Sequence, residues 1–321
     1  MADRVTAVEG RSLVVCLAGP TAAGKTEVAA ELVQRFPFEI ISVDSALVYR
    51  YMNIGTAKPG PDVRAVAPHR LIDIRDPWQR YSAGEFCADA RALIADIHAR
   101  GRLPLLVGGT MLYFRALQQG LAPLPTADQA LRDELDRRAA RLGWPALHAE
   151  LAALDPTAAR RIKPTDRQRL QRALEVIHLT GEPISRLQRV AGPASDFEFL
   201  RVALLPSDRT ALHQRIEARF FAMLDAGFVA EVEGLRAMPK MNAECTSMRA
   251  VGYRQLWSHL DGEVDLRRAT QNAIVATRRL AKRQLTWLRG EPGGLEFDCQ
   301  AANVAVAVAD AIAPHLAGYG A

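Results

Sequence analysis

The octapeptide Gly19-Pro20-Thr21-Ala22-Ala23-Gly24-Lys25-Thr26 satisfies the pattern G-x-x-x-x-G-K-[ST] in full. Its chemistry is the grip of a phosphate chain. Glycines at both ends let the backbone curl so that successive N–H groups face one cavity, and a following helix N-terminus adds partial positive charge. Lys25 supplies a full charge for the terminal phosphates, and the Thr26 hydroxyl is the candidate Mg²⁺ ligand. Two other residues sit where chemistry is expected. Asp44 directly follows the apolar run Glu39-Ile40-Ile41-Ser42-Val43, and Thr110 follows Leu103-Pro104-Leu105-Leu106-Val107 through Gly108-Gly109. Asp44 suits a water-bridged metal, a general base or a helix cap; Thr110 suits a hydrogen bond to substrate or a cap. Arg215 and Arg219, one helical turn apart, suit a phosphate approached from a second side or a surface pair with Glu217 or a neighbour. Asp73 and Asp76 suit two-metal or acid–base chemistry, but Asp76-Pro77 is also a turn signal and the structural reading is preferred. No apolar run reads D-x-x-G or ends in paired acids, so a transferase or kinase fits the loop better than a GTPase or motor ATPase.

These residues need a sheet to bring them together. Leu13 to Ala18, Glu39 to Val43 and Leu103 to Val107 are short apolar runs of the kind that form parallel strands buried on both faces. Helical patterns at about Gly24–Arg35 and Ser82–Arg100 alternate with them, which predicts a doubly wound α/β core with the ligand crevice at the strands' carboxyl ends. A fourth strand, Leu200 to Leu205, comes only after a long interval. Leu121-Ala122-Pro123-Leu124-Pro125 opens that interval, which runs to Gly192-Pro193 and is arginine-rich and helical, with helices expected at Ala127–Leu142, Trp144–Leu154 and Asp166–Leu179. The fold class expected is therefore a P-loop NTPase-like α/β protein, a parallel-sheet core of residues 1–122 and 196–321 with an inserted all-helical domain, residues 123–195. Asp208 is a helix N-cap candidate, a long helix is expected from Asp265 to Leu288, a last strand near Leu295-Glu296-Phe297, and a last helix from about Ala301.

Composition sets outer limits. The chain has 321 residues, 49% of them hydrophobic, enough to fill such cores. The first eleven residues hold no apolar signal core, so export is not expected. The Val304-Ala305-Val306-Ala307-Val308-Ala309 stretch, broken by Asp310 and Pro314, is too short for a membrane span, so no membrane partner is expected. Cys16, Cys87, Cys245 and Cys299 form no C-x-x-C pair and the seven histidines no H-x-x-x-H, which argues against zinc and for idle thiols. The net charge is +5 with a pI near 9.2. The charge is unevenly spread: Arg267, Arg268, Arg278, Arg279, Lys282, Arg283 and Arg289 share a stretch without an acid, and Arg160, Arg161, Lys163, Arg167, Arg169 and Arg172 are opposed nearby only by Asp166. Such runs lack the interleaved glutamates of solvated helices and point to a polyanion.

The ordered blocks of the chain resemble the tRNA dimethylallyltransferases over nearly its whole length. They are Gly19 to Thr26, Asp44-Ser45-Ala46-Leu47-Val48-Tyr49-Arg50, Asn53-Ile54-Gly55-Thr56-Ala57-Lys58-Pro59, His69-Arg70-Leu71-Ile72-Asp73, Tyr81-Ser82-Ala83-Gly84-Glu85-Phe86, Val107-Gly108-Gly109-Thr110-Met111-Leu112-Tyr113, Gln168-Arg169-Leu170-Gln171-Arg172-Ala173-Leu174-Glu175, Val251-Gly252-Tyr253-Arg254-Gln255, and Lys282-Arg283-Gln284-Leu285-Thr286-Trp287-Leu288-Arg289. Ala23 and Ala250 depart from residues common in the family. The resemblance implies that Gly19, Pro20, Thr21, Ala22, Ala23, Gly24, Lys25, Thr26 and Arg219 hold the diphosphate of dimethylallyl diphosphate with Mg²⁺. It implies that Asp44 accepts a proton from the adenine N6 amine beside a tRNA anticodon, with Thr110 near the reacting groups. It assigns contact with the tRNA anticodon stem-loop to Asp44, Ser45, Ala46 and Leu47, to Gln168, Arg169, Leu170, Gln171 and Arg172, to Arg249, Ala250, Val251, Gly252, Tyr253 and Arg254, and to Lys282, Arg283, Gln284, Leu285, Thr286, Trp287, Leu288 and Arg289. A cytoplasmic monomer is expected. The rival readings are a free-adenylate isopentenyltransferase, against which the basic insertion argues, a nucleotide or small-metabolite kinase of the same nucleotide-binding P-loop superfamily, using ATP, and a non-catalytic RNA-binding module, against which Asp44 and Thr110 argue.

Overall fold

The computed structural model describes residues 12–189, 195–291, 293–317 and 319. The first eleven residues, and Gly192-Pro193 at the end of the expected insertion, lie outside them. In chain order come β1 (Ser12–Ala18), α1 (Lys25–Arg35), β2 (Phe38–Val43), α2 (Pro61–Val66), β3 (His69–Arg70), α3 (Ala83–Ala99), β4 (Leu103–Gly108) and α4 (Met111–Gln119). A helical stretch follows: α5 (Gln129–Leu142), α6 (Trp144–Leu154), α7 (Pro156–Arg161), α8 (Arg167–Thr180) and α9 (Ile184–Leu187). Then come β5 (Phe197–Leu205), α10 (Arg209–Asp225), α11 (Phe228–Arg236), a 3₁₀ turn at Thr246–Arg249, α12 (Tyr253–Leu260), α13 (Leu266–Gly290), β6 (Leu295–Asp298) and α14 (Val304–Leu316).

The six strands form one parallel sheet in the order β3-β2-β4-β1-β5-β6. Each central strand alternates its apolar side chains between two cores. Leu13, Val15 and Leu17 of β1 join Val28, Leu32, Val308 and Ile312 on one face, while Val14, Cys16 and Ala18 join Phe86, Ile94, Phe114 and Ile274 on the other. Burial on both faces explains why these strands read as unbroken apolar runs. The register levels the strand ends: Ala18 pairs with Gly108 and Ala203, and Val43 also pairs with Gly108. The loops beginning at Gly19, Asp44 and Gly109 therefore leave the sheet at one height on neighbouring strands.

The chain divides into two compact units, Met1–Gln118 with Asp196–Ala321, and Gln119–Ser195. The second unit has its own core, built from Leu135, Leu147, Leu151, Leu170, Leu174 and Val176. Its ionic centre is Glu175, fully buried, whose carboxylate accepts from Arg132, Arg172 and the Asp128 N–H. The arginine cluster is thus opposed by more than the Asp166 its sequence neighbourhood suggests.

Helix ends follow local chemistry. Ser82 and Glu85 form a reciprocal capping box on α3, and Asp128, Asp166, Asp208 and Asp265 cap α5, α8, α10 and α13. The last helix begins at Val304, not Ala301, because Asn303 is left-handed (φ 58°). It continues through Asp310 and Pro314 because Val308, Ala309, Ile312 and Leu316 are buried against the sheet. Among the described residues no helix is long and apolar enough to cross a membrane.

Candidate active site

The phosphate loop is shaped by two left-handed residues, Ala22 (φ 63°) and Gly24 (φ 75°). Alternation of this kind turns consecutive N–H groups to one concave side, the arrangement that binds anions. Ala22 adopts a backbone that a side chain normally avoids. The loop lies tight on the sheet, since a Cβ at Gly19 would come within 3.1 Å of the Leu204 carbonyl oxygen. Ala23 is buried in the core that holds Val28 and Leu32, and its N–H donates to the Pro20 carbonyl. Thr26 and Lys25 open α1, both half-buried. The Lys25 ammonium donates to the carbonyls of Gly19 (3.0 Å) and Pro20 (2.7 Å). Burial pushes its pKa down to about 8, and Asp44 opposes that shift from across the crevice.

Asp44 and Thr110 are joined through Ser45. The Ser45 N–H donates to Thr110 Oγ1 (3.0 Å), and the Thr110 N–H donates to the Val43 carbonyl (3.1 Å). Asp44 Oδ1 accepts from the N–H groups of Ala46 (2.8 Å) and Leu47 (3.2 Å), so one carboxylate oxygen shapes its own loop. Thr110 accepts the Tyr113 N–H through its carbonyl, which leaves the hydroxyl on the Ser45 side rather than capping α4. Gly108 permits this closeness: a Cβ there would lie 2.1 Å from the Val43 carbonyl oxygen.

The cationic wall comes from α10. Burial lowers the pKa of Arg219, with Asp44 and Glu27 acting to raise it and Arg215 to lower it, so these four charges share one field. Arg215 donates to the Cys299 carbonyl, and its Nη2 would be 3.7 Å from a Cβ at Gly24. Glu217 instead pairs with Arg278 of α13. Asp73 pairs with Lys58 and Arg64, and Asp76 with Arg50, which makes both structural. The arrangement offers backbone N–H donors and three cations to a phosphate chain, with a carboxylate and a hydroxyl beside it.

The residues that the sequence assigned to RNA divide by burial. Ser45, Gln168, Arg169, Arg249, Arg254, Lys282, Arg283, Thr286 and Arg289 are exposed, and Ala46, Leu47, Gln171, Arg172, Ala250, Val251 and Trp287 are half-buried. Leu170, Gly252, Tyr253, Leu285 and Leu288 are buried and serve cores. The Tyr253 hydroxyl donates to Glu231, and Arg172 donates to Glu175 and the Pro125 carbonyl. Gln284 is also inside, with its amide accepting from the Thr21 N–H (3.0 Å) and donating to the Gly109 carbonyl (2.8 Å). Arg254 lines an open groove with Arg268, Gln271, Asn272, Arg278 and Arg279 between α12 and α13.

Two roles are not visible in the sequence. Glu231 of α11 accepts from the N–H groups of Asn53, Ile54 and Gly55, anchoring the loop that carries Asp44. Gln284 was singled out for RNA, and nothing local signals partners 263 and 175 residues away.

The family model "IPP transferase" matches residues 47–291. A tRNA dimethylallyltransferase of Bordetella pertussis is 57% identical over 303 residues, covering 94% of this chain and 97% of the relative. That of Thiobacillus denitrificans is 58% identical over 302 residues, covering 94% and 96%. Among solved structures, the full-length tRNA isopentenylpyrophosphate transferase of Bacillus halodurans aligns with a TM-score of 0.70 at 37% identity, covering 96% of this chain and 98% of its own. A eukaryotic dimethylallyltransferase acting on tRNA aligns with a TM-score of 0.79 at 25% identity, covering 97% and 80%.

Proposed function

The chain belongs to the IPP transferase family, and from that premise we propose that it moves a dimethylallyl group from dimethylallyl diphosphate to the N6 amine of an adenosine beside a tRNA anticodon. It is a prenyl-transferring enzyme whose substrate is tRNA. In the reaction the allylic C–O bond breaks, a C–N bond forms, diphosphate leaves, and N6 loses one proton. An aromatic amine is a weak nucleophile, so the rate depends on countering charge on the leaving group and removing that proton.

The observation that carries this reading is the junction of three loops at level strand ends: phosphate loop, Asp44 and Thr110. The loop N–H groups, Lys25 and Arg219 neutralise the departing diphosphate, with Arg215 flanking. Asp44 takes the N6 proton on the carboxylate oxygen that is not tied to Ala46 and Leu47. Thr110, oriented by Ser45, holds the reacting groups in line. Among the described residues no cluster of three His, Cys, Asp or Glu side chains forms a metal cage. The Thr26 hydroxyl, at the start of α1 beside the phosphate loop, would hold Mg²⁺ arriving with the diphosphate, since that ion favours few protein ligands plus phosphate oxygens. When bound, the metal supplies further charge neutralisation on the leaving group. The target adenine is extruded from its stack to reach the crevice, and the exposed basic residues of α8 and α13 hold the backbone electrostatically.

The test is incubation with Mg²⁺, dimethylallyl diphosphate and unmodified tRNA, followed by nucleoside analysis for a prenylated adenosine. Transfer to free AMP but not to tRNA replaces the reading with an adenylate isopentenyltransferase, and ATP-dependent phosphorylation replaces it with a kinase.

A further inference from the structure

Helix α13 has two faces. Lys282, Arg283, Thr286 and Arg289 are exposed, while Ala281, Gln284, Leu285 and Leu288 are buried. The buried face is keyed to the phosphate loop twice. Ala281 and Leu285 pack with Leu212 and Ile216 of α10 in a small cluster that Ala22 joins. Between them the Gln284 amide spans two loops, taking the Thr21 N–H on one side and giving its own N–H to the Gly109 carbonyl on the other. Gly109 immediately precedes Thr110, and a Cβ there would lie 2.5 Å from Gln284 Nε2. The amide thus fixes the distance between the loop that grips the leaving group and the turn that carries Thr110.

We propose that Gln284 is a positioning residue that couples tRNA held on the exposed face of α13 to the diphosphate held in the phosphate loop. The proposal rests on the prenyl-transfer reading for the identity of the two ligands. The neutral amide accepts and donates at once: a carboxylate cannot donate to the Gly109 carbonyl, and an alkyl chain leaves both backbone groups without a partner. The link proposed between the RNA face of α13 and the two site loops is a coupling free energy, and it acts equally in both directions. Small errors in loop spacing also matter to chemistry, because a displacement of about 1 Å at reacting groups costs on the order of 100-fold in rate.

The experiment measures binding of an unmodified anticodon stem-loop RNA with and without saturating Mg²⁺-pyrophosphate, in the wild type, Gln284→Leu and Gly109→Ala. In the wild type each ligand is expected to change the affinity of the other by about 5-fold or more, the usual range of coupling. Both variants should abolish that change whatever they do to the affinity for each ligand alone, and kcat should fall more than KM for tRNA rises. A Cβ at Gly109 would also lie 3.2 Å from the Gly19 carbonyl oxygen, so the double variant is read on the coupling alone, which should be no smaller than in the more severe single variant. Equal coupling in wild type and variants, or no coupling in the wild type, overturns the proposal, as do additive effects. Failure of the prenyl-transfer reading appears separately, as a wild type that binds both ligands and makes no prenylated adenosine.

Discussion

Asp44 has two duties that a single substitution can separate. Its Oδ1 holds the Ala46 and Leu47 N–H groups, and its other oxygen is the proposed base. Asn preserves the first duty and removes the second. Asp44→Asn is therefore expected to lower kcat by about 10²–10⁴-fold, the usual contribution of a general base, with thermal stability and tRNA affinity near wild type. Asp44→Ala should lower kcat similarly and also loosen the loop, read as faster amide hydrogen exchange at Ala46 and Leu47. Lys25 gives a pH signature. Its pKa falls from 10.5 to about 8 because burial disfavours the ammonium, so folding is opposed by that charge below pH 8 and the penalty fades as pH rises from 8 toward 10.5. Lys25→Met removes that penalty and also the donor to the Gly19 and Pro20 carbonyls, so the variant's Tm relative to wild type, without ligand, should fall as pH rises from 8 toward 10. Anion binding has the opposite sign, since pyrophosphate needs the ammonium. Wild-type affinity should decline between pH 8 and 9, and Lys25→Met should show weaker binding without that decline; calorimetry across this window checks both.

At the scale of elements, the loop between β2 and α2 depends on one side chain from a distant helix. Glu231 sits in the first turn of α11, where a negative charge suits the helix dipole, and accepts from Asn53, Ile54, Gly55 and the Tyr253 hydroxyl. Its presence raises the pKa of Tyr253, which burial already lifts. Gly55 lets the loop lie against Phe228, since a Cβ there would come within 2.1 Å of that ring. Glu231→Ala removes the acceptor of three backbone donors, one exposed and two half-buried, and of the hydroxyl of buried Tyr253; about 1–3 kcal/mol for a buried group left without its partner predicts a lower urea midpoint and a reduced kcat. Glu231→Gln, which keeps an acceptor, should recover most of both; equal damage from Gln and Ala would show that acceptance is not the point. This anchoring marks where sequence reading stops. Strands buried on both faces announce themselves as apolar runs, and caps such as Ser82 and Asp265 lie beside the helices they start, so β1, β2, β4 and most long helices were legible with the crevice they define. The two-residue β3, the short α2, α7 and α9, and the loop after Asp44 follow from contacts between distant segments. Gln284 shows the same limit within the site: its type and helix were evident, but its partners were not.

For the whole molecule, charge that looks continuous in sequence is divided by folding into structural and available parts. The net +5 sits on a chain rich in arginine, yet the two arginines most alike in sequence, Arg169 and Arg172, differ in kind. Arg169 is 73% exposed at its side chain, with Asp166 at 3.6 Å as a loose partner. Arg172 is 27% exposed and bonded at 2.6 Å to Glu175, which is wholly buried. Reversing charge at Arg172 places a second carboxylate against Glu175 and reports on the helical unit's core. Glu175 keeps Arg132 but would face a new like charge with no water to screen it, so Arg172→Glu should lower the melting temperature whatever RNA does. Arg169→Glu leaves that core intact and changes the field seen by a polyanion. It should weaken tRNA binding at low salt and reduce the slope of log K against log[salt] by about 1, the mark of one lost phosphate contact, with the Tm unchanged. Titrations at four or five salt concentrations, alongside melting curves, separate the two: an unchanged slope for Arg169→Glu removes α8 from the RNA surface, and an unchanged Tm for Arg172→Glu removes Glu175 from the centre of the helical unit.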